Sequence, residues 1–155
     1  MKRLILATLA GVAILAGCSL HASYGPEGES TWLTDLPQAQ AQAKAEHKMV
    51  LLDFTGSDWC PWCIRLHKEI FSRQAFADYA KTNLVLVEVD FPHNKPQNDA
   101  LKKANQALAD RFQIEGYPTV IVLNADGKQV GQLGYQSGGP QPFIAELEKL
   151  KKKGA

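Results

Sequence analysis

The segment Trp59-Cys60-Pro61-Trp62-Cys63, set just after the apolar run Met49-Val50-Leu51-Leu52-Asp53-Phe54, constrains this chain more than any other feature. A short, almost unbroken apolar run has the pattern of a strand buried on both faces. The turn Thr55-Gly56-Ser57-Asp58 then leads into a helix candidate over residues 60–71, with Ile64, Leu66, Ile70 and Phe71 as its apolar members. Cys60 and Cys63 therefore fall in a first helical turn. Side chains at that spacing have Cβ atoms about 5–6 Å apart, which a disulfide can close with little backbone movement. Cys60 at the helix start meets unpaired backbone N–H groups and the positive end of the dipole. Both favour a thiolate, the nucleophilic form, and pull the pKa below the free value of roughly 8.5. Pro61 suits the first helical position, where no N–H is needed. Cys63, further into the helix, is expected to be more buried and less acidic, suited to resolving a mixed disulfide formed on Cys60.

Other uses of such a pair fit less well. A zinc site needs about four ligands, usually with a second cysteine pair, and here only His67 is nearby. A c-type haem would need histidine directly after the second cysteine, where Ile64 stands. A purely structural disulfide would close too small a loop to constrain the chain much. A metal or copper chaperone, or a binding module on the same scaffold, remains the alternative from a different functional class, because fold alone does not decide function.

The rest of the chain alternates between the two periodicities. Residues 31–33 suggest a short edge strand, 36–47 a helix with Pro37 near its start, and Leu84-Val85-Leu86-Val87-Glu88-Val89 a second buried strand. Ser72 is placed to cap a further helical stretch through Tyr79. Residues 92–96 form a loop, 98–112 a helix and 119–123 a strand. The turn Asn124-Ala125-Asp126-Gly127 is a hairpin signal leading to a strand over 128–133, and 141–152 form a last helix. The expected class is α/β in the order β-α-β-α-β-α-β-β-α. That implies a central mixed sheet with a parallel part, helices on both faces and an antiparallel edge.

With these residues in place the chain resembles the thioredoxin-like superfamily over about residues 31–152, and Phe54-Thr55-Gly56-Ser57-Asp58-Trp59-Cys60 looks like its exported bacterial members. The resemblance implies a thiol–disulfide oxidoreductase. Gly116-Tyr117-Pro118-Thr119 looks like the family's cis-proline loop, which implies that Tyr117 and Pro118 face the redox pair and that backbone beside Pro118 pairs with an extended client. Asp53 corresponds to the family's buried acid, which assists proton transfer at the second cysteine. Its segment to Cys60 is one residue longer than in simple thioredoxins. Trp59 and Trp62 are expected to form an apolar surface beside the sulfurs, while His67 and His93 are read as exposed helix and ordinary loop residues. Pro61-Trp62 departs from the Gly-Pro of reducing thioredoxins and from the Pro-His of strong oxidants. It resembles the glutaredoxin pattern, implying a couple less oxidising than the Pro-His type, and so a reductase or isomerase. Nothing in the motifs calls for a metal or other cofactor.

The N-terminus reads as an address. Lys2 and Arg3 precede an apolar run too short for a comfortable membrane span, the pattern of a signal peptide over residues 1–17. Leu15-Ala16-Gly17-Cys18 resembles the lipobox of bacterial lipoproteins, in which the chain is cut before a lipidated cysteine. Residues 18–30 are expected to be a flexible tether and 31–155 the domain. Ser19 after the cysteine favours the outer membrane. The formal net charge is +1. Removing residues 1–17 takes away two basic residues and no acids, leaving −1, and no basic stripe with interleaved aromatics appears. Nucleic acid is therefore not an expected partner. The expected partners are disulfide-containing clients and a membrane electron-donor thiol protein, in the periplasm-facing cell envelope.

Overall fold

The computed structural model describes residues 28–154; the proposed leader, lipidation site and most of the proposed tether lie outside them. Five strands, β1 (Trp32–Leu33), β2 (Met49–Thr55), β3 (Leu84–Asp90), β4 (Thr119–Leu123) and β5 (Gln129–Leu133), form one sheet in the order β1-β3-β2-β4-β5. The first three are mutually parallel. β4 runs antiparallel to β2, and β5 antiparallel to β4. The expected mixed sheet is therefore present, with β2 at its centre.

The alternation along β2 divides the core. Met49 and Leu51 pack with Leu66, Ile70, Phe76, Phe143 and Leu147. These belong to α2 (Pro61–Leu66), a π-helical turn His67–Phe71, α3 (Gln74–Asn83) and α5 (Pro140–Lys153). Val50, Leu52 and Phe54 face the other way, onto α1 (Leu36–Glu46) and α4 (Asp99–Arg111). Both faces of the strand are dry, which explains its nearly continuous apolar run. Among the described residues no helix is long and apolar enough to cross a membrane.

Local chemistry sets the helix ends. Asp35 caps α1 by accepting from Gln38 N at 2.7 Å, and Asn98 caps α4 by accepting from Leu101 N at 2.8 Å. Gly127 takes the positive φ of the 124–128 turn. The helical stretch after Cys60 departs from expectation. Ser72 does not cap α3; Arg73 holds that position. Ser72 instead closes the π turn, with its N–H and hydroxyl both donating to His67 O at 2.8 and 2.9 Å. Before β1, Gly28 N already donates to Ser72 O at 2.7 Å, so the chain lies against the domain there.

The register brings three loops to one end of the sheet. Thr55 is level with Asp90, where parallel β2 and β3 both finish. Phe54 is level with Thr119, where antiparallel β4 begins. The loops that follow β2 and β3 and precede β4 therefore converge.

Candidate functional site

Cys60 and Cys63 form a disulfide, with Cα atoms 5.2 Å apart. Cys60 is the N-cap of α2, with extended backbone, and its Sγ accepts the N–H of Cys63 at 3.2 Å. That N–H is one of the orphan donors of a helix start. It points at the sulfur on which negative charge develops when the bond is reduced. Pro61 occupies the opening of the helix as expected. Burial does not separate the two cysteines: Cys60 is 4% exposed and Cys63 3%. The expectation that Cys63 is clearly the more buried is not met, since both cysteines are buried in the disulfide form.

Asp53 lies in β2 on the face shared with Leu51, beneath α2, and is buried. Its Oδ1 has no protein hydrogen-bond partner among the described residues. Burial, then the charges of Glu88 and Asp90, push its pKa up to about 8. Glu88 is level with Asp53 across the β2–β3 pair. Glu88 is itself raised, by burial and then by Asp90, with Lys95 acting in opposition.

The Tyr117–Pro118 peptide is cis, as the resemblance implied. Thr119 Oγ1 donates back to Gly116 O at 2.7 Å and ties the loop. Tyr117 reaches the redox loop through an edge-to-face contact with Trp59, ring centroids 5.9 Å apart.

The two tryptophans are held differently. Trp59 lies against Gly56, where an added Cβ would stand 2.6 Å from its Nε1. Its Nε1 donates to Phe91 O at 2.7 Å, and it stacks on His93 at 4.4 Å with ring planes 7° apart. Asp58 accepts from the backbone N–H groups of His93, Asn94 and Lys95 at 2.9, 2.6 and 3.1 Å. The His93 bond is the main influence holding its carboxyl below the usual range. Ser57 donates from N and Oγ to Asp90 at 2.9 and 2.6 Å, and Lys95 Nζ donates to Ser57 Oγ at 2.9 Å. The 56–59 loop and the 91–95 loop are thus bound into one unit. Trp62 makes no such bonds. It rests on Tyr135 at 5.4 Å and beneath the Arg65 guanidinium at 5.3 Å. Glu69 anchors both neighbours, accepting from Tyr135 OH at 2.6 Å and Arg65 Nε at 3.0 Å.

Sequence reasoning passed over Asp58 and took His93 for an ordinary loop residue. An acid directly before a tryptophan–cysteine pair, opposite a loop rich in backbone donors, was the only local signal. His67 lies outside this group, on the exposed side of its helix, with Nδ1 3.0 Å from Ser72 Oγ.

Residues 36–151 match a family model described as a thioredoxin-like domain. The disulfide bond reductase DsbH of Chlamydia pneumoniae is 34% identical over 115 residues, covering 74% of this chain and 69% of that protein. The thiol:disulfide interchange protein DsbD of Vibrio cholerae is 34% identical over 118 residues, covering 74% of this chain and only 18% of that longer protein. Among solved structures, a DsbH oxidoreductase aligns with TM-score 0.76 at 29% identity, covering 92% of this chain and 95% of that one. A thioredoxin from Thermus thermophilus aligns with TM-score 0.61 at 25% identity, covering 82% and 92%.

Proposed function

The chain belongs to the thioredoxin-like domain family and is a protein thiol–disulfide oxidoreductase; on that premise we propose that it reduces or isomerises disulfides of envelope proteins, with Cys60 attacking and Cys63 resolving. The observation that carries this reading is the Cys63 N–H aimed at Cys60 Sγ from the first turn of α2.

The Cys60 thiolate attacks one sulfur of a client disulfide, and the other client sulfur leaves as a thiolate and takes a proton. Cys63 gives its proton to Asp53, and the Cys63 thiolate attacks Cys60 Sγ. The second client sulfur leaves, protonated from solvent. The client gains two electrons and two protons, and Cys60–Cys63 is oxidised. A carboxyl with pKa near 8 can take and return that proton near neutral pH. Backbone beside Pro118 offers the client an extended partner, while Trp59 and Trp62 neighbour the cysteines in the chain and Tyr117 stands edge-on to Trp59. An upstream thiol donor restores the dithiol, and DsbH, named a disulfide bond reductase, supports this direction.

The location proposed is the periplasm-facing envelope, reached by a leader over residues 1–17 and held by lipid on Cys18, with the outer membrane favoured by Ser19. Palmitate labelling that is lost in Cys18→Ala tests the anchor. Insulin reduction tests the enzyme: activity is expected in the wild type and absent in Cys60→Ser. Cys63→Ser is expected to trap clients on Cys60. The couple is expected well below the ~−120 mV of a dedicated oxidant, and a titration near that value would overturn the reductive direction.

A further inference from the structure

A recess of about 360 Å³ has walls that include Trp59, Phe91, Tyr117, Lys95, Lys102 and Gln106. Its position ties it to the chemistry. Trp59 adjoins Cys60, to which a client sulfur becomes attached, and Tyr117 adjoins Pro118, beside which a client strand would lie. An extended chain rises about 3.3 Å per residue, so the client residues next to the attacked cysteine are the ones that stay close to Trp59 and Tyr117.

Its walls are built before any client arrives. The Trp59 ring is fixed by its bond to Phe91 O and its stack on His93, and the 91–95 loop is fixed by Asp58. Phe91 and Tyr117 hold their rings 5.3 Å apart at 35°, adding a second aromatic surface. A preformed pocket does not charge the ligand for ordering it. Ring edges and faces in this arrangement suit a further aromatic ring. No acid lines the recess, while two lysines do. Lys102 is bound only in an exposed 3.6 Å pair with Asp99, a contact weak enough to exchange.

We propose that this recess is the specificity pocket of the enzyme, taking an aromatic side chain next to the client's cysteine and favouring an acidic residue beside that ring. This rests on the oxidoreductase reading and names the client chemistry that the same site selects.

The test uses the reduced full-length protein and disulfide-cyclised peptides of equal length. One pair carries Phe or Ala next to the attacked cysteine; a second pair carries Glu or Lys one residue further on. Phe is expected to exceed Ala in kcat/KM by about tenfold, the scale of burying part of an aromatic ring. Glu is expected to exceed Lys, less so as salt rises. Lys102→Glu should reverse the Glu–Lys order, and Gln106→Trp, which fills the recess, should erase the Phe–Ala ratio. Ratios within about twofold of one in the wild type, with Cys60-dependent turnover intact, would overturn the pocket and leave the oxidoreductase reading standing. Absence of Cys60-dependent turnover on every peptide would overturn both.

Discussion

Trp59 and Trp62 flank one disulfide, yet their surroundings have little in common. Trp59 is 37% exposed, but its indole is bonded, stacked and backed by the Gly56 backbone. Trp62 is 53% exposed and rests on a tyrosine ring and a guanidinium, both steered by Glu69. One flank is part of the scaffold, tied through Asp58 and Ser57 to the loop after β3. The other is a surface feature. The difference separates two tasks that an apolar rim around a redox pair must meet: holding the nucleophile in place, and presenting a face that a protein partner can reshape.

The comparison can be broken at its strongest point first. In Gly56→Ala the new methyl group would stand 2.6 Å from Trp59 Nε1, so either the ring or the loop must move. A loss on the order of 3 kcal/mol is expected in urea unfolding. Wild-type stability in that variant would mean that the Trp59 flank is not rigid.

Asp53, buried in β2, sharpens the contrast through pH. Its pKa rises from 3.8 to about 8 on folding, so the unfolded chain loses this proton at lower pH than the folded one. Stability therefore falls as pH rises from about 4 to about 8 and then levels. Asp53→Asn is expected to match the wild type near pH 3.5 and to exceed it by on the order of 2 kcal/mol at pH 9. It should also slow resolution of the Cys60–client mixed disulfide by Cys63, a step that a purely structural role would leave unchanged.

Asp58→Ala removes the acceptor of three backbone N–H groups. Thermal unfolding is expected several degrees lower, with KM for protein clients raised more than kcat is lowered. Because the folded-state pKa of Asp58 is depressed, its contribution is present above the ordinary carboxylate pKa and lost on further acidification. The smallest effect belongs to the open flank. Trp62→Ala is expected to stay within about 0.5 kcal/mol of the wild type, with the change appearing instead in the redox titration. A large stability loss there would erase the distinction between the flanks.

The buried strands, the helix opening at Cys60 and the loop at Pro118 were legible because each has a local cause: an apolar run, an N-terminal proline, a turn before a strand. The residues that position Trp59 were not. Asp58, Asp90 and His93 meet only after β2 and β3 lie parallel with Thr55 level with Asp90, and no period in the sequence records that register. The π turn was also invisible. His67, Lys68 and Glu69 suit an ordinary helix, and the wider turn shows only in how Ile70 and Phe71 both reach the core while Ser72 is drawn back to His67 O. The near-equal burial of the two cysteines was not legible either, since it depends on the tertiary packing around the start of α2.

The antiparallel placement of β4 against β2 also orders events in a chain still being synthesised. The two cysteines lie close in sequence and can pair as soon as they emerge. Tyr117 meets the redox loop, through its contact with Trp59, only when the much later β4 has docked along β2. A partly synthesised chain therefore carries reactive sulfurs without the surface that chooses among partners. Selectivity is gained late, and it comes with completion of the sheet.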